Sequence, residues 1–302
     1  MKAIIPVAGY GTRMRPHTDH IQKTLLPIAG KPTLGHIVEP LLNAGISRIN
    51  FIIGHLGEQV VEYMKSYEGD FQFIEQKEIL GLGHAVLQGM DDTNERLLIQ
   101  LGDNLFDTDL SQFIAGNHHR IAVGQVEDPR RFGVVELKND LITQFHEKPE
   151  NPPSNYAITG LYFFKNQNVI KTAIETLIQR NIRTKNEYQI TDAFKIMLEE
   201  GEQFEPWECD WLDTGVPDTM LFANKHLLAK IDSAHGLDIK PPVYIGGNVE
   251  LINSKLGPNV SIMDNCVIKN CEIEDSIVLE NTHLSNQSLS HRIAGKDGSE
   301  IC

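Results

Sequence analysis

The chain has 302 residues, is 41% hydrophobic and 23% charged, and carries a formal net charge of −14. That length can bury a full core and predicts about two domains, while the acidic balance argues against a general nucleic-acid surface and leaves cations to act locally. No apolar run approaches the ~18 residues of a membrane span, and the four cysteines (Cys209, Cys266, Cys271 and Cys302) form no CxxC pair, so neither a zinc knuckle nor a disulfide framework is expected. The N-terminal run is broken by Pro6 and Gly9 and lacks a signal-peptide layout. The expectation is a cytoplasmic protein with reduced thiols and neither a nucleic-acid nor a membrane partner.

The first predicted element is a strand at residues 3–7, which stops abruptly in VAGYGTRMRP, residues 7–16. Gly9 and Gly11 permit positive φ and close approach of a ligand to the main chain. Arg13 has the bidentate fork that suits phosphate oxygens. The stretch therefore reads as a phosphate cradle, but two familiar loops fail on spacing. The dinucleotide fingerprint needs a third glycine where Met14 stands, and its ribose-binding acid is missing because INFIIG ends in Gly54 and His55. A Walker loop needs Ser or Thr after Gly30 and Lys31, where Pro32 follows instead.

Leu34, Ile37, Val38, Leu41 and Leu42 then recur at helical spacing, with Pro40 expected to kink or shorten that helix. Further strands are predicted at 48–53, 97–101, 120–125, 132–137 and 156–164, followed by an amphipathic helix carrying Val169, Ile170, Ala173, Ile174, Leu177 and Ile178 and a closing helix at 217–231. The alternation predicts a three-layer α/β/α, Rossmann-like domain over residues 1–240 with a mostly parallel sheet. Ligands in that class sit at the carboxyl ends of strands, where the first loop and LGDN (101–104) both fall.

From residue 241 the chain is rich in Asn, Gly and β-branched residues. Ile245 and Leu251 are six apart, Leu256, Ile262 and Ile268 repeat the interval after a one-residue phase shift, and Val260 and Cys266 form a second row. This predicts a short left-handed β-helix over 241–302, with residues 285–302 frayed. A solenoid this short cannot bury its apolar rows alone, so it should dock on the rest of the chain or on a second subunit, and a homo-oligomer is expected.

Arg13 is followed ten residues later by Lys23, within QKTLLPIAGKP. Then come EQKEILGLGHAV (75–86), LGDNLF (101–106), RFGVVE (131–136), HEKP (146–149), NYAITGLYFF (155–164), NEYQITDA (186–193) and WLDTG (211–215). In this order, the series over residues 1–230 resembles the sugar-1-phosphate nucleotidyltransferases, also called nucleotide-sugar pyrophosphorylases. The resemblance implies an enzyme with two substrates, a nucleoside triphosphate and a sugar 1-phosphate. Ala8, Gly9, Gly11, Thr12 and Arg13 would hold the nucleotide, with Arg13 stabilising the departing pyrophosphate and Lys23 bridging the reacting phosphates. Asp103 and Asp213 would hold Mg²⁺, a cation satisfied by one or two carboxylates plus phosphates and waters. Asn104 and Asp107 read as loop residues. Gln76 and Gly81 would read the edge common to uracil and thymine. Gly133, Glu147, Lys148, Thr159 and Tyr162 would take the sugar phosphate, together with Lys185, which stands where many relatives carry Arg.

PVAG and LGLGHA look like the uridylyltransferase branch, whereas NYAITGLYFF and WLDTG look like the thymidylyltransferase branch. Ala8 stands where many thymidylyltransferases have glycine. UTP and dTTP therefore both stay open, and glucose 1-phosphate is expected by resemblance alone. A regulatory or assembly subunit on the same fold would be expected to lose Arg13, Lys23 or an Asp, and all are present. The tail is also short for an acyl-transferring β-helix.

Overall fold

The computed structural model describes residues 1–296 and 300–301; Cys302 and the 297–299 part of the stretch expected to fray lie outside the described residues. The chain forms two compact units, Met1–Gly9 with Val38–Trp211, and Tyr10–Ile37 with Leu212–Cys302. No helix among the described residues is long and apolar enough to cross a membrane.

Among the described residues of the first unit, nine strands form one sheet. They are β1 (Lys2–Pro6), β2 (Arg48–Ile53), β3 (Asp70–Glu75), β4 (Leu97–Gln100), β5 (His119–Gln125), β6 (Gly133–Lys138), β7 (Leu141–Glu147), β8 (Tyr156–Phe164) and β9 (Phe204–Glu208), in the order β3-β2-β1-β4-β8-β5-β9-β7-β6. The predicted parallel run is β3-β2-β1-β4, while β8 enters antiparallel between β4 and β5 and makes the other half mixed.

Strand β8 is buried on both faces, as its unbroken apolar run dictates. Tyr162 and Phe164 pack on Phe194, with centroids 5.4 and 5.9 Å away, while Phe163 points oppositely to Phe113, at 6.4 Å. Helices α3 (Leu82–Gln88), α5 (Gln167–Gln179) and α6 (Ile190–Glu199) supply Val86, Ile174 and Phe194 to the first face, and α4 (Leu110–Phe113) covers the second. The three layers are those expected. Helix α1 (Thr33–Asn43) contains Pro40, which is exposed; the helix runs three residues past it and stops at Gly45, whose φ of 79° suits a C-cap.

Three strands of this sheet escape the sequence pattern, and Asn104–Asp107, read as loop, is corrected to a short strand outside the sheet. Strand β3 is an edge strand with little burial, β7 mixes polar with apolar residues, and β9 contains Pro206. Pro206 is tolerated because the β7 ladder reaches only Phe204, leaving the proline beyond it.

In the second unit, short 3₁₀ turns at Thr12–Met14, His17–Asp19 and Lys23–Leu25 precede a hairpin of Pro27–Ile28 with Lys31–Pro32. Helix α7 (Pro217–Leu228) follows, then a coil whose strands stack in parallel on three sheets, save for Glu300–Ile301, which pairs antiparallel with Ile293–Ala294. The rows Ile245–Ile262–Val278–Ala294, Leu251–Ile268–Leu284 and Leu256–Ile273–Leu289 lie in register. The six-residue period with a single phase shift is corrected, since shorter steps recur along the coil. Ile262 follows Ile245 by 17 residues and Val278 follows Ile262 by 16, because some corners take one residue fewer. The corner residues Asn248, Asn253, Asn259, Asn265, Asn270, Asp275, Asn281, Asn286 and His291 all have φ between 44° and 61°. Asn and Asp enter this left-handed region more readily than other L-residues, which explains the composition. Fraying is also corrected for the described part of 285–302: Ser288–Ser290 pairs with Glu272–Glu274, and Leu289 and Ile293 are buried.

The coil packs on its own unit. Asn224 of α7 accepts hydrogen bonds at Oδ1 from the Ser261 hydroxyl (2.6 Å) and the Ala29 amide (2.9 Å). Gly30 leaves room for the Tyr244 ring, which would lie 2.5 Å from a Cβ there. His17, which burial holds below its ordinary pKa and therefore neutral at pH 7, donates a ring N–H to the Ile293 carbonyl at 3.1 Å.

Candidate active site

In the first unit, the candidate residues lie at the ends of β1, β3, β4 and β7 and at a break within β8. Val7 continues β1 by donating its amide to Ile52 (2.8 Å), and Ala8 then closes on Gly54, where a Cβ would lie 2.6 Å from the Ala8 carbonyl oxygen. Gly9 is open, with nothing near the position of a Cβ.

Gln76 directly follows β3 and is buried, its side-chain amide 3.3 Å from His84 Nδ1. Gly81 precedes α3 with φ of 109°, and a Cβ there would meet the Tyr188 carbonyl oxygen at 2.8 Å. The backbone explains this crowding. Tyr188 donates its amide to Leu80 and accepts from Gly83, both at 2.8 Å, so LGLG is clamped against residues 187–188. Gly83 is equally tight, with 2.8 Å from a Cβ to the Tyr188 oxygen.

Asp103 sits in the turn after β4. The turn wraps a break in β8, where register shifts between Ile158 and Tyr162 and Gly160 takes φ of 96°. Leu101 donates its amide to Gly160 (2.9 Å), and Asn104 donates its side-chain amide to the Thr159 carbonyl (2.8 Å). The Thr159 hydroxyl is buried without a hydrogen-bond partner. Burial first, then the negative charges of Glu147 and Asp103, push the Tyr162 phenol well above its ordinary range and keep it protonated.

Glu147 ends β7 opposite Gly133 of β6. Its Oε2 accepts from Thr191 Oγ1 of α6 at 2.7 Å, and its Oε1 lies 3.1 Å from Lys148 Nζ. A Cβ on Gly133 would stand 3.4 Å from Glu147 Oε2 and 3.0 Å from the Thr191 methyl. Lys148 holds φ of 44°, and Lys185 occupies an exposed turn with φ of 53°.

The second unit brings another set together. Gly11 has φ of 63°, and a Cβ there would meet the Thr18 methyl at 2.9 Å and Lys23 Cβ at 3.0 Å. The Thr18 hydroxyl fixes the turn by donating to the Gly11 carbonyl (2.8 Å). Lys23 thus returns to the glycine turn, while Thr12 and Arg13 project exposed from it. Asp213 accepts the Gly215 amide at Oδ1 (2.7 Å), a turn-closing bond that uses part of its capacity. Among the described residues, no three His, Cys, Asp or Glu side chains converge on a metal position. Mg²⁺ does not need such a cage when substrate phosphates supply oxygens, so one or two carboxylates such as Asp103 and Asp213 fit its chemistry.

Sequence reasoning missed His84 and Thr191 as partners of Gln76 and Glu147. Both lie inside quoted motifs, LGLGHA and NEYQITDA, which is the signal that could have found them.

Residues 2–230 match the family model described as nucleotidyl transferase. The chain belongs to the nucleotidyl transferase family. It is 37% identical over 252 residues to the bifunctional protein GlmU of Methanocaldococcus jannaschii, covering 82% of this chain and 60% of that protein. It is 30% identical to a glucose-1-phosphate thymidylyltransferase of Streptomyces antibioticus, covering 88% and 83% of the two chains. A UDP-glucose pyrophosphorylase solved with UDP-glucose superposes with a TM-score of 0.65 at 28% identity, over 76% of this chain and 99% of that one. The chain spans about 60% of the length of the GlmU relatives it matches.

Proposed function

We propose that this family member transfers a nucleotidyl group from UTP or dTTP to a sugar 1-phosphate, glucose 1-phosphate foremost, releasing an NDP-sugar and pyrophosphate. The observation that carries the reading is the cluster of glycine-bounded, polar-lined turns in the first unit. Buried Gln76 lies a few residues before the clamped Gly81, and half-buried Glu147 faces bare Gly133.

An oxygen of the sugar phosphate attacks the α-phosphorus as the bond to the β-phosphate oxygen breaks. That oxygen is already anionic, so no general base is required and catalysis comes from alignment and charge neutralisation. Arg13 takes the triphosphate, with Ala8, Gly9, Gly11 and Thr12 offering backbone and hydroxyl, and Lys23 takes the reacting phosphates. Gln76 and Gly81 read the pyrimidine edge. Glu147 accepts sugar hydroxyls, Lys148 and Lys185 meet the sugar phosphate, and Thr159 and Tyr162 line the sugar side. Asp103 and Asp213 would hold Mg²⁺, which supplies charge neutralisation on the phosphates. A cytoplasmic homo-oligomer suits a reaction whose substrates are small anions.

The test is pyrophosphate release with Mg²⁺, crossing five triphosphates with glucose 1-phosphate and an amino-sugar 1-phosphate. UTP and dTTP are expected to react, with ATP, GTP and CTP far poorer, because an amide oxygen that accepts N3–H rejects bases without it. Equal use of ATP overturns the base reading. No release with any pair supports a regulatory or assembly subunit instead.

A further inference from the structure

We propose that Thr191 is a positioning residue for Glu147 and thereby sets the affinity for the sugar substrate. It can do so only if Glu147 is the sugar-hydroxyl acceptor, as the nucleotidyl-transfer reading has it. The Glu147 side chain is only 7% exposed, so its carboxylate oxygens need hydrogen-bond donors from the protein. Lys148 is a weak choice for fixing it, since its long side chain is 39% exposed. Thr191 differs in kind. It is buried in the first turn of α6, its β-branched side chain is stiff at χ1, and its hydroxyl donates to Oε2 at 2.7 Å.

A carboxylate has room for about four hydrogen bonds, so the Thr191 and Lys148 contacts leave acceptor capacity for substrate hydroxyls. Gly133 opposite keeps the space beside Oε2 free of a side chain. The hydroxyl therefore fixes one oxygen and leaves the carboxylate plane with one orientation toward the sugar.

Steady-state kinetics of Thr191→Val and Thr191→Ser test this, since Val removes the hydroxyl at nearly constant volume and Ser keeps it. Val is expected to raise KM for the sugar 1-phosphate about tenfold or more, the usual loss for a hydrogen bond to a charged group, with KM for the triphosphate unchanged. Ser is expected to stay within about twofold of the parent. In a Glu147→Ala background, which has no acceptor for the Thr191 hydroxyl, the Val effect should largely vanish, as coupling through one partner requires. If Val does not fold, Thr191→Cys, similar in size but a weak donor, gives the same readout. Equal rises in both KM values, no rise in either, or a Ser variant as poor as Val overturns the positioning role. A parent that releases no pyrophosphate with any pair overturns the nucleotidyl-transfer reading itself.

Discussion

The first unit and the coil of the second use left-handed backbone differently. In the first unit, Gly81, Lys148, Gly160, Lys185 and Asn186 take positive φ within or beside the turns that carry Gln76, Asp103 and Glu147, while Gly45, Leu56, Asn139, Asp140, Asn181 and Gly201 do so at helix ends and in the β6–β7 hairpin. In the coil, positive φ recurs every five or six residues, nearly always at Asn, with Gly257 the exception to the rhythm. Left-handed backbone thus repeats where it builds a shape, and in the first unit it serves both helix ends and the turns that aim side chains. A corner that repeats is architecture, and one that does not is judged by the side chains it places.

The largest expected effect breaks the aperiodic set. Gly81→Ala places a Cβ 2.8 Å from the Tyr188 oxygen at a φ of 109°. Either the LGLG turn or residues 187–188 must move, and kcat/KM is expected to fall ~10² or more, since displacements near 1 Å cost that much in positioned reactions. Circular dichroism should show the sheet intact. Arg13→Ala is expected to lower turnover by a similar ~10² through lost charge stabilisation. Arg13 is exposed, so melting should barely change. Near-parental rates in either variant would show that irregular turns here are not a mark of function.

A smaller effect breaks the periodic set. Asn270 holds φ of 52° and bonds to Asn253 (2.9 Å) and Asn286 (3.1 Å) in the turns on either side. Asn270→Ala loses both side-chain bonds and raises the cost of the left-handed conformation, an expected loss of about 1–3 kcal/mol. Asn270→Gly keeps the conformation cheaply and should lose less. Urea midpoints measure both, and kcat should be unchanged. A kinetic defect in Asn270→Gly would assign the coil a part in the chemistry.

The sequence disclosed elements according to how locally they are determined. Gly11 and Lys23 were legible as neighbours because a glycine turn followed by a returning cation is a short-range pattern. Strand β8 was legible because nine nearly continuous apolar residues have one use in such a sheet. Strand β9 was not, since Pro206 argues against a strand until the length of the β7 ladder is known. The coil's repeat was read as six with one phase shift, although corner economy sets it at 16 or 17 residues per turn. The corner residues and the apolar rows carry the same mixture of five- and six-residue steps, so the full turn is legible only when several steps are added. Thr191 was hidden for a different reason. Its partner Glu147 is 44 residues away, and only the packing of α6 on β7 pairs them.

The smallest expected effects sharpen the comparison through two acidic residues. In the first unit, burial alone would raise Asp91, but hydrogen bonds from Thr93, Lys2 and Gln167, with the Lys2 charge, hold it well below the usual carboxylate range. Its folded pKa is therefore below its unfolded value. The stability it contributes is present above pH ~4 and is lost as pH falls from there through the folded value. Lys2 is almost wholly buried, with a side chain only 2% exposed, so Asp91→Asn leaves an ammonium without its counter-charge. The variant should be less stable than the parent at pH 7, with the gap narrowing below pH ~4 as the parent's own Asp91 becomes protonated. In the coil, Lys255 lowers Glu272 by the same kind of hydrogen bond at 2.7 Å, but both partners are about two-thirds exposed. Water and salt screen such a pair, so Glu272→Gln should leave the urea midpoint unmoved at either pH. A matching acid dependence in both variants would mean that burial of the lysine is not what gives the Asp91 contact its weight.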